Sequence, residues 1–258
     1  MGHGAARHRS ALRGAELCRD MTHHNRSIIF SVTMDYFRRG DIHPREETMV
    51  NEFKGHRSFC VDEIPRLALS GFNNPGNRPS RQHISKYACG MLNTGRGGTI
   101  FMGILDDGRI DGFMMSKYQQ DHVRLSIQDT FDRYAPPVPP HLYKITFKPV
   151  IDNDPQVELR AIYDYYAQED GQNRELNHLI QASDHCWCDA NSMAMFSRGC
   201  LNPFFVIELK LQAWNPDDPL NKGLFEEGVS KPKFKAEDGI AYIRKFGSNH
   251  AMTDDQKV

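Results

Sequence analysis

The sequence predicts an α+β fold: a mixed, mainly antiparallel sheet with two main helices on one side. Three observations carry that expectation. Runs of β-branched and aromatic residues recur along the chain, two segments show helical apolar spacing, and glycine- or proline-rich turns separate them.

Taken in order, SIIFSVTMDYF (27–37) reads as a strand, and GDIHP turns the chain. TMVNEF (48–53) alternates as a second strand, with Met49, Asn51 and Phe53 on one face and Val50 and Glu52 on the other. DEIPRLALSGF reads as a short helix, with Asp62 placed to cap it and Pro65 in its first turn. NNPGNRPS (73–80) is a loop by composition. Ser80 is placed to cap the next helix, where Ile84, Tyr87, Ala88, Met91 and Leu92 form one apolar face. The glycines of Asn93-Thr-Gly-Arg-Gly-Gly end it, and Thr99–Ile104 follows as a buried strand. Asp106-Asp107-Gly108 turns into Arg109–Met114 as a hairpin partner. A second helix spans about Ser116 to Tyr134, with Val123, Ile127 and Phe131 on one face and APPVPP as its stop. Strand character then recurs at 142–150, 156–163, 204–214 and 239–247, with an irregular stretch around HCWCD.

The pattern fits one domain over residues 27–250, between a leader (1–26) and a tail (251–258) that are expected to be disordered. The leader holds Arg7, Arg9, Arg13, Arg19 and Arg26, and Met21 is an alternative start just ahead of the patterned sequence. With 32 Lys+Arg against 33 Asp+Glu, no global field attracts nucleic acid, so any such binding must use a local basic patch. No apolar run reaches membrane-spanning length, which argues against a membrane partner. Six scattered cysteines without a secretory signal point to a reducing compartment, cytoplasmic or nuclear.

The segment EETMVNEFKGHR (46–57) gathers three carboxylates and several bases just ahead of an apolar helix. Read with Cys89-Gly-Met-Leu-Asn-Thr, then Gly97-Gly-Thr-Ile-Phe-Met-Gly-Ile-Leu-Asp106-Asp-Gly-Arg-Ile-Asp-Gly112 and Ala241-Tyr-Ile-Arg-Lys-Phe-Gly-Ser-Asn249, it resembles the Schlafen domain. That domain is also called the divergent AlbA-like domain, and the resemblance runs from about Glu47 to Asn249. The short Schlafen-like proteins, with one such domain and no helicase region, are the nearest in kind.

The resemblance implies a metal-dependent endoribonuclease that cuts structured or precursor RNA, such as tRNA or small-RNA precursors. The family's acidic triad, carried over by position, falls on Glu47, Glu52 and Asp106, with Asp107 as the alternative to Asp106. Clustered carboxylates repel one another without a cation and therefore recruit Mg²⁺ or Mn²⁺, which activates water and polarises a phosphoryl group. Lys54, two residues past Glu52 and on the same strand face, is placed to steady a phosphate. Arg57, Arg81 and Arg244 join it as candidate substrate contacts if the fold brings them round the acidic site. The competing account makes the glutamates a solvated edge and Asp106 and Asp107 turn formers. The longer Schlafens build an RNA clamp from two copies of the domain. A chain with one copy is therefore expected to work as a homodimer or with related Schlafen-like subunits.

Two further signals stand apart. Gly95, Gly97 and Gly98 read better as a helix stop than as a phosphate cradle, and no G-x-x-x-x-G-K-[ST] supports an ATP-binding role. His185, Cys186, Cys188 and Cys200 make a four-ligand zinc set, although the His-x-Cys and Cys-Cys spacing of the longer Schlafens is absent. A non-catalytic nucleic-acid-binding or scaffold subunit is the alternative function.

Overall fold

The structure is a computed structural model, described here for residues 35–65, 68, 81–167, 176–181, 186–199, 203–224 and 231–252. Its strands are β1 (Phe37–Arg38), β2 (Asn51–Lys54), β3 (Gly98–Met102), β4 (Phe113–Met114), β5 (Tyr143–Ile151), β6 (Phe204–Leu211), β7 (Tyr242–Lys245) and β8 (Ser248–Ala251). The helices are α1 (Ser85–Thr94), α2 (Lys117–Asp132), α3 (Pro155–Ala167) and α4 (Trp187–Ser197).

One sheet has the order β1-β5-β6-β3-β2, with β4 pairing β6, and β7 and β8 form a separate hairpin. β1 runs parallel to β5 and β2 parallel to β3, while β3, β4 and β5 all pair antiparallel with β6. The sheet is therefore mixed and the fold α+β, as the residue patterning predicts. Strand alternation decides the two faces. Ile100, Met102, Phe205, Ile207, Leu209 and Leu211 point into the main core. Helices α1 (Ala88, Met91, Leu92), α2 (Val123, Ile127, Phe131) and α3 (Leu159, Ile162) bury their apolar stripes in that same core. Phe53, Phe101, Val150 and Val206 point the other way and pack with Ile104 and Ile110. Glu52, beside Ile100 in the β2–β3 register, thus projects towards the helical side of the sheet.

Local chemistry sets the helix ends. Ser116 Oγ accepts from Gln119 N at 3.3 Å and Gln119 Oε1 accepts from Ser116 N at 3.1 Å, a reciprocal cap that starts α2. Gly95 ends α1 in the left-handed region at φ +74°. Asn93, the asparagine of Leu-Asn-Thr, ties α1 to the closing segment. Its Nδ2 donates to Phe234 O and Tyr242 O, both at 2.8 Å, and its Oδ1 accepts from Phe234 N at 2.7 Å.

Several elements differ from expectation. Residues 156–163 are helix α3, not a strand. Asp154 Oδ1 accepts from Gln156 N at 2.8 Å with Pro155 opening the first turn, and the buried Leu159 and Ile162 are spaced by three. The stretch after Cys186 is helix α4 rather than irregular chain. Around 62–72 the described part holds a 3₁₀ turn, Val61–Glu63, which begins after Cys60 rather than being capped by Asp62, and a helical Ala68, whose N donates to Pro65 O at 2.8 Å. The 109–114 segment does turn back on residues 103–105, through the Ile104–Ile110 bridge and Leu105 N donating to Arg109 O at 3.0 Å, but its end, Phe113–Met114, pairs with β6. Ser80, most of the 27–37 strand, the leader and most of the tail lie outside the described residues. Among the described residues no helix is long and apolar enough to cross a membrane.

Candidate nucleic-acid-processing site

The acidic segment forms one wall of a cleft. Lys54, Gly55, His56, Arg81, Gln82, Tyr87, Leu105 and Asp106 line a space of about 510 Å³ where β2, the start of α1 and the turn after β3 meet. Lys54 links this wall to Glu52, only 3% exposed. One carboxylate oxygen, Oε1, is bonded by the Lys54 ammonium, which also donates to Phe53 O at 2.7 Å. The other, Oε2, lies 2.5 Å from Arg244 Nη2, in ion-pair contact but without hydrogen-bond alignment. Burial pushes the Glu52 carboxyl up, and the charges of Lys54 and Arg244 oppose that shift.

The sequence-derived residues divide into three groups. Asp106, exposed on the turn, faces the cleft together with Lys54 and Arg81. Its neighbour Asp107 accepts from Arg109 N at 3.0 Å as an ordinary turn former. Glu47 lies on the strand's approach, with Oε1 accepting from Phe53 N at 2.9 Å. Arg244 and Arg57 are not at the cleft surface. Arg244 is 1% exposed and donates to Thr48 O (2.9 and 2.7 Å) and Asn51 O (3.0 Å), so it holds β2 and Glu52 rather than a substrate. Arg57 pairs with Asp189 of α4 at 2.7 Å. The long side chains that looked interchangeable in sequence are thus separated by what the fold does with their charges.

Tyr87 was legible only as a core position of α1. The structure half-buries it at the cleft, with Lys54 Nζ 4.2 Å and Lys86 Nζ 4.9 Å from its ring centroid. Burial pushes its phenol up to about 12, and the negative charges of Glu52, Glu47 and Asp106 act in the same direction. All three acids thus lie near enough to Tyr87 for their charges to act on it. Among the described residues, only one set of three or more His, Cys, Asp or Glu ligand atoms lies mutually within 4.8 Å, and it is not this one. The donor chemistry, three hard carboxylates, suits Mg²⁺ or Mn²⁺. The spacing is not that of a preformed cage, and the Lys54 ammonium takes the place of a cation on Glu52.

The glycine-rich turn at the start of β3 is structural. A Cβ on Gly97 would lie 2.4 Å from Leu211 O and 2.7 Å from Ala213 N, so the turn is packed against the end of β6.

Comparison with protein families matches residues 70–176 to the family described as Schlafen, AlbA_2. Residues 70–176 carry a Schlafen AlbA_2 domain. The matched stretch runs through α1, β3, β4, α2, β5 and α3, and so contains Asp106, Tyr87 and Arg81. Glu47, ahead of β2, and Glu52 on β2 precede it, and Arg244 on β7 follows it. A Schlafen AlbA_2 domain ties the chain to a nucleic-acid-related function.

The ligand set that does meet metal spacing lies elsewhere in the described chain. Among the described residues, Cys186 and Cys188 are joined by His122 of α2 and His178. His185 and Cys200 lie outside the described residues. No local spacing links His122 to the cysteines. The available signal was a histidine four residues past Tyr118 and next to Val123, on the helix whose apolar face also holds Ile127 and Phe131.

Proposed function

We propose that the chain is a Schlafen-type endoribonuclease that binds structured or precursor RNA in this cleft. The observation that carries the proposal is the meeting of Lys54, Arg81 and Asp106 at one opening, with Lys54 bonded to the buried carboxylate of Glu52. Lys54 and Arg81 supply the positive charge a phosphodiester needs, and the Tyr87 ring supplies a flat apolar surface beside it. In this reading Lys54 holds Glu52 while the cleft is empty and turns to an RNA phosphate when it is filled. That movement exposes the Glu52 carboxylate towards Asp106 and Glu47. These three would hold Mg²⁺ or Mn²⁺, whose contribution is to activate water and to neutralise charge on the phosphoryl oxygens. Arg244 keeps Glu52 in place throughout. We also propose that the chain acts as a homodimer or with related Schlafen-like subunits. Phe246, 98% exposed on the β7–β8 turn, is an apolar side chain that such an assembly would cover.

A second reading, a non-catalytic RNA-binding subunit, is favoured by one specific observation: both Glu52 oxygens are already paired with cations. Incubation of the purified chain with tRNA in Mn²⁺ or Mg²⁺, beside Asp106→Asn, separates the two. Asp106 is exposed, so its replacement leaves the core untouched. Cutting that is lost in the variant while binding persists supports the nuclease. Binding without cutting by the unaltered chain supports the second reading.

A further inference from the structure

We propose that His122, His178, Cys186 and Cys188 form a four-ligand structural zinc site that fastens α4 and the 176–181 segment to α2. With Zn–S near 2.3 Å and Zn–N near 2.0–2.1 Å, tetrahedral geometry puts neighbouring N and S ligand atoms about 3.5 Å apart. Here Cys186 Sγ lies 3.4 Å from His178 Nδ1, and Cys188 Sγ lies 3.7 Å from His122 Nδ1. All four ligand atoms lie within 4.8 Å of one another. Both cysteines are free thiols, 2% and 0% exposed. Two soft sulfurs and two imidazoles select zinc over the hard ions that carboxylates attract.

The surroundings of His122 point the same way. It presents Nδ1 to the cluster, and its other nitrogen, Nε2, lies 3.3 Å from Glu63 Oε1. Glu63 is itself fixed, because Oε2 accepts from Phe59 N at 2.6 Å and Cys60 N at 3.2 Å. A carboxylate behind a histidine sets its tautomer and ring direction, which is how metal-ligating imidazoles are held. On the opposite side the Trp187 ring stacks on His178 at 5.0 Å and meets Tyr118 at 5.1 Å, which shields the cluster from water.

Packing shows what the ion would do. Helix α4 has 11 residues, of which only Cys188 and Ser192 are buried, while Met193 and Phe196 are more than half exposed. A helix that short, with so little apolar burial, is marginal without another anchor. The Arg57–Asp189 ion pair and the Gln119–Asp189 hydrogen bond, both 2.7 Å, supply part of it. Four protein ligands leave no open position, so the site is structural and independent of the nuclease reading.

The test is metal content of the full chain, purified without chelator, together with the absorption of its Co²⁺-substituted form. About one zinc per chain and the visible bands of tetrahedral cobalt are expected. His178→Ala and Cys186→Ser should lose the metal, His185→Ala and Cys200→Ser should keep it, and Glu63→Gln should weaken zinc binding about 10- to 100-fold. A wild-type chain with no stoichiometric metal and no tetrahedral cobalt spectrum overturns the proposal. So does a metal that survives His178→Ala but is lost with His185→Ala or Cys200→Ser. Should the ligand variants fail to fold, the metal content and cobalt spectrum of the unaltered chain still decide.

Discussion

Arg244 of β7 and Glu52 of β2 pair in the interior, 1% and 3% exposed, with Nη2 2.5 Å from Oε2. A buried ion pair is weak evidence of stability in itself, but breaking one half leaves a charge stranded in a low-dielectric interior. Arg244→Met is therefore expected to destabilise the fold by about 3–5 kcal/mol. Adding Glu52→Gln should cost much less than the sum of the two single changes. Urea denaturation of the four-member cycle measures this. Additive losses would show that the pair is not coupled.

RNA affinity should follow the cleft and not the total positive charge. Arg81→Ala, at an exposed position on the rim, should weaken RNA binding across sequences and reduce the salt slope by about 0.7–0.9. Arg57→Ala removes the partner of Asp189 and should leave the salt slope unchanged. Fluorescence anisotropy at several salt concentrations reads both. Equal slope changes for the two variants would place the RNA on a different face.

His56 gives a pH dependence. Burial, then the charges of Arg81 and Lys54, hold its imidazole down at about 4, against an ordinary value of 6.5. Its Nδ1 has no hydrogen-bond partner among the described residues. A base whose folded pKa is depressed binds fewer protons folded than unfolded. Its contribution is complete above pH 6.5 and is lost as pH falls towards about 4. The full loss is of order 3 kcal/mol. His56→Gln should flatten stability between pH 6.5 and 4, as read by denaturation at a series of pH values. An NMR titration of His56 near its ordinary value would contradict it.

Two glycines in the left-handed region separate backbone strain from steric conflict. Gly97→Ala meets main-chain atoms of Leu211 and Ala213 and should cost about 3 kcal/mol or more. Gly223→Ala, at φ +76° with nothing within 4 Å, should cost about 1–2 kcal/mol. Thermal or urea unfolding compares them, and equal losses would show that the contact at Gly97 is relieved by movement of β6.

Much of this architecture was legible because local pattern and tertiary demand agree. The alternation of β2 and the apolar face of α1 each survive in the core, and Glu52 and Lys54 share a face because they are two apart on a strand. Helix α3 was misread where strand-like residues outweighed the Asp154–Pro155 start signal. The partners of the key side chains were not legible. Arg244 reaches Glu52 from the last hairpin, and His122 reaches Cys188 from another helix. Such contacts depend on how elements cross, which no residue spacing encodes. Charge type was readable in Arg57, Arg81 and Arg244, but burial, which decides whether a cation serves the fold or a ligand, was not.

The account turns on Lys54 occupying Glu52 only while the cleft is empty. Its most direct test is a crystal structure grown with Mn²⁺ and a short non-cleavable RNA, read by anomalous scattering. The account predicts a manganese peak between Glu52 and Asp106, with the Lys54 ammonium moved onto a phosphate. An intact Lys54–Glu52 pair with RNA bound and no peak in the cleft would contradict it.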